Sequence, residues 1–546
     1  MTTAEVSTKR KILLSVWAVV LIGLPFWWKT TQVYRAHLPF EEIAHWQDLD
    51  GCLNFPVRVN LHLPSTEETR TLDLSDITRD VQKYVDTQSE SNMNNRLINT
   101  SLGQVRVPVQ LSSQIDTSEK IEESEVNGEY HIYVRSVGKS SDSKPRVLLH
   151  DSRSIIIEAQ SIDRDTIVKT TSTVISELFT EEETKIAKTL NDDHNSDKVD
   201  AESLRVMKYA SSYQLTFSLM NEDPSTLLVS WEIDAALREY LYPFLSELTK
   251  ISNFTVESQI QNYATLTVEP QRQNTKKSHY YYLNPESLPH FINSAEWNLA
   301  SAVSTSPSIN FLIYVAAERH RPLRIHSAKG QRISNSAFLI PRYGGVAISN
   351  PKVGASQTSQ KSHHFTPQEL RQYMQTFTVQ LRELLGIDEI RTIFQRAEID
   401  VALVSTSGVG VTQWELDRLA HKRTAQNMVS AAATLSSLSR LINQIPNMVV
   451  LDHIQTEVTE ALGSLQKACH HVKNMDYQKA LHFSKEALER SESAFFDPTM
   501  VSMLYFPDEH KYAIYMPLFF PISVPLVLAA IKELKEMRKR KKEKAE

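Results

Sequence analysis

The chain has 546 residues, a formal net charge of −6, 23% charged residues and two cysteines. Two cysteines exclude a small disulfide-stapled scaffold, and a mildly acidic chain with no basic cluster in its middle excludes an electrostatic nucleic-acid binder.

In chain order, a cytosolic N-terminus over 1–11 is followed by a membrane span over 12–30. Ile12 to Trp28 (ILLSVWAVVLIGLPFWW) carries no charge. Its 17 residues make about 25 Å of helix, the short end for a span. Lys9, Arg10 and Lys11 precede it, and Trp27, Trp28 and Lys29 suit the aromatic belt at the far interface. A cleaved signal peptide has the same basic and apolar regions, but no small-residue cleavage site follows here, so an uncleaved anchor is expected.

Residues 31–408 alternate between strand-like and helix-like segments. Val57 to Leu63 (VRVNLHL) has period two, and Leu74 to Val85 has helical spacing. Tyr130 to Val137, Ser154 to Ala159 and Tyr213 to Met220 read as strands. Asp163 to Leu178 and Ile233 to Leu248 read as helices. Phe254 to Val268 is extended, Ile309 to Ala316 is apolar throughout as a central strand should be, and Phe365 to Leu385 is a helix. Such alternation predicts an α/β domain, a mixed sheet with flanking helices. The polar stretches Ser112 to Gly128 and Glu181 to Asp200 read as solvated loops or helix surface.

Over 409–511 the pattern turns wholly helical. Thr412 and Glu415 form a capping-box start. Apolar stripes follow at Leu416, Leu419, Leu435 and Leu438, then at Ile454, Val458, Leu462 and Leu465, then at Tyr477, Leu481 and Ala487. They predict a three-helix bundle. A second uncharged run over 512–531 (YAIYMPLFFPISVPLVLAAI) precedes a basic tail over 532–546. Positive charge stays on the cytosolic side, so both termini are expected there and the body between them is lumenal or extracellular. Lys542 and Lys544 resemble a dilysine retrieval signal of endoplasmic reticulum membrane proteins. In the second span Pro517, Pro521 and Pro525 share one helix face. Each lacks an N–H, which frees the carbonyls of Ala513, Pro517 and Pro521 and favours packing against other membrane helices.

Asn99-Thr100-Ser101 and Asn253-Phe254-Thr255 are glycosylation acceptors. Cys52 and Cys469 either form one bridge closing a very long loop or remain two separate buried thiols, the simpler reading. The chain has no Gly-x-Ser-x-Gly elbow, phosphate loop or His-Glu-x-x-His motif. Cys469, His470 and His471 are consecutive on a helix, so their side chains diverge by about 100° and do not converge on one ion. His363 and His364 read as a polar loop, and Gly344-Gly345 as a turn or bulge. No catalytic residue, metal or cofactor is expected.

Several blocks together resemble the phosphatidylinositol-glycan class S family of GPI transamidase subunits: Leu24 to Arg35 (LPFWWKTTQVYR), Leu288 to Ser294 (LPHFINS), Ile309 to Val315 (INFLIYV), Pro341 to Gly345 (PRYGG), Ala494 to Pro498 (AFFDP) and Leu504 to Asp508 (LYFPD). The resemblance implies a non-catalytic structural subunit of a five-part complex in the endoplasmic reticulum membrane. Its partners would be a catalytic cysteine-peptidase-like subunit and three further membrane subunits. It also implies membrane phospholipid contact at Arg10, with Lys9 and Lys11 beside it; these three also serve as topology determinants. The competing reading is a membrane-tethered lumenal hydrolase or transferase with an unrecognised active site.

Overall fold

The computed structural model describes residues 3–31, 34–46, 49, 51–65, 73–94, 99–100, 103–116, 127–136, 145–159, 163–194, 206–274, 279–292, 297, 306–327, 329–333, 336–351, 361–389, 393–394, 400–404, 409–445, 448–502 and 508–543. Its helices include α1 (Thr3–Thr31), α2 (Gln413–Gln444), α3 (Asp452–Lys473), α4 (Tyr477–Phe495) and α5 (Asp508–Glu543). The chain forms two compact units. One comprises Asp48–Val429 and Gln466–Lys485, the other Met1–Gln47, Ser430–Leu465 and Glu486–Glu546. Helices α2, α3 and α4 contribute residues to both.

The first unit is α/β, with mixed sheets and flanking helices. Its six-stranded sheet runs, edge to edge, Asp400–Val404, Arg146–His150, Ser154–Ala159, Glu129–Ser136, Val57–Pro64 and Val109–Asp116. Every pairing is parallel except that between Arg146–His150 and Ser154–Ala159. The alternation in VRVNLHL thus becomes a central strand. Part of the stretch read as loop is an edge strand instead: Ser112 to Asp116 pair with Asn60 to Pro64. A polar sequence suffices there because an edge strand has neighbours on one side only.

The five-stranded sheet runs Asn253–Asn262, Ser212–Asn221, Ser308–Val315, Gly344–Ser349 and Ala337–Ile340. On one face Leu215, Phe217, Phe311 and Ile313 pack with the helices around Leu237, Phe244, Met374 and Phe377. On the other face Leu312, Tyr314 and Val346 pack with Leu283, Leu323 and Ile325 of a three-stranded sheet. Gly344-Gly345 begins a strand rather than making a turn. A Cβ on Gly344 would lie 1.8 Å from the carbonyl oxygen of Asn310, and φ is +150° there, so only glycine lets these backbones meet. His363 and His364 also lie in a strand, Lys361–Phe365, where His364 contacts Ser230 and Glu232.

The start of α2 is fastened to the six-stranded sheet and to the helix Pro367–Leu385 by buried polar groups. Thr412 and Glu415 make the reciprocal capping box, and Arg382 grips the Glu415 carboxylate at 2.6 and 3.2 Å. Arg153 binds Asp417 through two bonds, at 2.5 and 2.7 Å, and the Tyr130 hydroxyl donates to the same carboxylate. Burial pulls the Arg153 pKa down, but the bond and charge of Asp417 outweigh it and raise the net value. Tyr130 stacks on Trp414 at 4.4 Å, and Trp414 donates to the Ser152 carbonyl. Residues 181–194 form a helix, yet Glu182 and Glu183 are buried: His421 meets Glu182 at 2.9 Å, and the Val107 amide donates to Glu183.

The second unit holds α1 and α5, the short helix Phe40–His45 and segments of α2, α3 and α4. Among the described residues no helix is long and apolar enough to cross a membrane. Side chains of Leu13, Trp27, Trp28, Tyr512 and Leu518, members of the two apolar runs, lie outside the description. Both runs are nonetheless helical, and both expose apolar side chains, from Ile12 to Phe26 and from Ile514 to Ile531. α5 continues unbroken through Pro517, Pro521 and Pro525, whose side chains are exposed.

Candidate functional site

The first turn of α3 is a meeting point within the second unit. The residues just after α1 run extended beside residue 450 in a parallel bridge. The Ala36 amide donates to the Val450 carbonyl at 2.8 Å, and the Val450 amide to the Tyr34 carbonyl at 3.2 Å. Side chains complete the attachment. The Tyr34 hydroxyl donates to Asp452 at 2.6 Å, and the Gln455 amide nitrogen donates to the His37 carbonyl at 2.8 Å. Arg35 donates to the carbonyl of Ile442, in the last turn of α2. The bond to Asp452, and then its charge, raise the Tyr34 pKa.

The same turn of α3 holds the chain approaching α5. His453 Nε2 lies 2.7 Å from Asp497 Oδ2, while Asp497 Oδ1 accepts from the Thr499 amide at 2.8 Å and caps the helix Pro498–Ser502. Burial works to raise the Asp497 pKa, but the bonds from Thr499 and His453 outweigh it and hold the carboxyl low. Farther along α3, Arg490 of α4 pairs with Glu457 and Glu460 at 3.1 and 2.9 Å. Asp452, His453 and Gln455 therefore hold both residues 34–37, which follow α1 in sequence, and Asp497, which follows α4.

Other sequence-predicted residues lie elsewhere. Cys52 and Cys469 are bonded to each other within the α/β unit, in place of two separate thiols, and both are buried. Their Cα atoms lie 4.9 Å apart across a sequence separation of 417. Asn253 is exposed at the start of its strand. Asn99 begins a two-residue strand, and its side chain lies outside the description. Lys9, Arg10 and Lys11 are in α1. Lys11 is exposed, while the side chains of Lys9 and Arg10 are outside the description.

Open parallel sheets bind ligands where the strand order reverses, beyond the carboxyl ends. In the five-stranded sheet that point lies between Ser212–Asn221 and Ser308–Val315. It is filled by Glu222, whose side chain is 2% exposed. This carboxylate accepts from the Ala317 amide at 2.7 Å and from Arg319 at 3.1 Å, with His320 Nδ1 2.9 Å away. In the six-stranded sheet the reversal lies between Val57–Pro64 and Glu129–Ser136. On these two strands, within the sheet rather than beyond their ends, His62 Nε2 meets His131 Nδ1 at 2.9 Å, Gln114 contacts His62 Nδ1, and His62 stacks on Tyr133. This buried imidazole pair was not legible as a site, because each histidine sits alone within an alternating strand. Among the described residues no cluster of three or more metal-ligating side chains occurs.

The model of the family described as phosphatidylinositol-glycan biosynthesis class S protein matches residues 14–540. The chain belongs to that family. It is similar to the human protein named GPI-anchor transamidase component PIGS, with 33% identity covering 98% of this chain and 97% of the relative. The bovine protein of the same name is 33% identical, with 97% and 96% covered. The Saccharomyces cerevisiae protein named GPI transamidase component GPI17 is 24% identical, with 96% and 91% covered. The family match includes the second apolar run, all of the first but Ile12 and Leu13, and the junction on α3.

Proposed function

We propose that this chain is a non-catalytic, structural subunit of a GPI transamidase and serves the attachment of GPI anchors to precursor proteins. The observation that carries this reading is end-to-end similarity to proteins named as components of that enzyme. The site geometry agrees with it. The crevice of the five-stranded sheet is consumed by the internal partners of Glu222, and both cysteines are joined in a disulfide. Two terminal helices anchor the chain in the endoplasmic reticulum membrane, with both ends cytosolic and the folded body lumenal. The uncharged runs, their exposed apolar side chains and the flanking basic residues support this topology. The junction on α3 then fixes the lumenal exits of both anchors. Lys9, Arg10 and Lys11 meet phospholipid headgroups, and Asn253 carries a glycan, as does Asn99. Pro517, Pro521 and Pro525 face neighbouring membrane helices. The partners are a catalytic cysteine-peptidase-like subunit and three further membrane subunits.

Purification of the tagged chain in mild detergent tests the reading. Recovery with four partners is expected. Transamidation should fail on depletion of this chain and return with a version whose paired histidines His62 and His131 are substituted. Hydrolase or transferase activity of the chain purified away from partners would refute it.

A further inference from the structure

The three-stranded sheet of the α/β unit presents a second face that the structural role leaves unused. Tyr281, Leu283, Leu323 and Ile325 turn toward the core. Strand register sets the opposite face: Gln271 lies across from Tyr282, Gln273 from Tyr280, and Tyr282 from Arg324. His326 follows two residues after Arg324, and an antiparallel bridge to His326 brings Arg332 alongside. The rings of Tyr282 and His326 stack at 4.0 Å and 11°. Tyr282 donates its hydroxyl to Gln271 Oε1 at 2.7 Å, and Tyr280 to Gln273 Oε1 at 3.0 Å. Those bonds occupy the amide oxygens and leave the amide nitrogens as donors.

The chemistry of this face is one-sided. Arg324 and Arg332 lie close enough for Arg332 to depress the Arg324 pKa, after burial, the larger cause. Among the described residues neither arginine has a carboxylate partner. Two guanidinium groups side by side repel, and an anion between them reverses the sign of that energy. Guanidinium forks match phosphate oxygens in a bidentate manner. A ligand suited to two guanidiniums, two amide donors and a flat aromatic stack is rich in acceptors and has an apolar ring face. A sugar phosphate has both, since the C–H face of a pyranose lies against an aromatic ring by dispersion. An acidic peptide supplies the charge but not the flat ring.

We propose that Arg324, Arg332, Gln271, Gln273 and the Tyr282–His326 stack form a binding site for a phosphorylated glycan. The arginines take the phosphate, the stack takes a sugar ring and the glutamines donate to hydroxyls. Resting on the transamidase reading, the source is the phosphate-bearing glycan of the GPI lipid.

The full chain in detergent is titrated with glucosaminyl-inositol phosphate, its unphosphorylated counterpart, inorganic phosphate and a glutamate-rich peptide. The phosphorylated sugar should bind most tightly. Arg324→Gln with Arg332→Gln should weaken it on the order of 100-fold, tenfold for each charged hydrogen-bonding group lost. Tyr282→Leu should weaken it about tenfold while leaving inorganic phosphate unaffected. A photoreactive form of the probe on the wild-type chain should label residues 271–274, 279–282, 324–327 and 329–332, independently of how the variants fold. The proposal is overturned if the wild type does not bind the probe at millimolar concentration, or if the double arginine variant binds as well as wild type. It is also overturned if phosphate alone or the glutamate peptide binds as tightly, or if labelling falls elsewhere. Wild-type chain that is recovered with transamidase partners but fails these tests removes this site alone and leaves the structural role standing.

Discussion

Asp417→Ala should be among the most destabilising single substitutions in the α/β unit. Asp417 and Arg153 are 8% and 6% exposed and share two hydrogen bonds, so removal of the carboxylate takes two acceptors from a buried guanidinium that keeps its bond to Asn127. Breaking a buried pair from one side costs about 3–5 kcal/mol. The Tyr130 hydroxyl loses its acceptor as well, which adds about 1 kcal/mol. The expected total is roughly 4–6 kcal/mol. Arg153→Met combined with Asp417→Leu removes both charges and should recover most of that loss, because apolar replacements of a buried pair are often neutral. Urea unfolding of the detergent-solubilised chain, followed by tryptophan fluorescence, is the assay, since Trp414 stacks on Tyr130 beside the pair. An Asp417→Ala loss below about 1 kcal/mol, or a double variant as unstable as the sum of its singles, would refute the reasoning.

Cys52→Ala with Cys469→Ala should lower stability by up to about 6 kcal/mol, the loop-closure value for a separation of 417, with a matching shift in the urea midpoint. A double variant as stable as the oxidised wild type contradicts this. Glu183 is held above the ordinary carboxylate range, mainly by burial, against opposing bonds from Val107 and Ser89. Its stabilising protonated form is fully present below about pH 4.3 and is lost as pH rises through the raised folded value. Glu183→Gln should flatten that fall, and identical pH slopes of the urea midpoint for both proteins would count against it. Replacing Pro517, Pro521 and Pro525 with leucine should reduce recovery of partner subunits from detergent without changing the amount of chain made. Unchanged recovery removes the case for a packed proline face.

Local pattern made some elements readable and left others hidden. The strand at Val57, the capping box at Thr412 and the long helices each follow from residues within one or two turns of one another. Glu182 and Glu183 looked solvated because their sequence is acidic, yet His421 and Val107, distant in sequence, supply partners that permit burial. Gly344-Gly345 looked like a turn because the close approach of Asn310 leaves no trace in the neighbouring sequence. The junction is harder still. Tyr34 and Asp452 are 418 residues apart, so no periodicity connects them. Tyr34, Arg35 and Asp497 did fall within blocks shared with the family, which marked them without saying what they touch.

The disulfide has a consequence for synthesis. Cys52 is made 417 residues before Cys469. At roughly 5–20 residues per second, its thiol waits about 20 to 80 s for a partner. The bridge at residue 35 waits almost as long for residue 450. Throughout that interval the sheets can fold while the two ends stay open. Until then Cys52 is a solitary thiol, and any premature mixed disulfide on it must be resolved before the bond to Cys469 forms. Closure is thus a late event, set by the clock of the ribosome, and the N-terminal segment is fastened only when nearly the whole chain has been made.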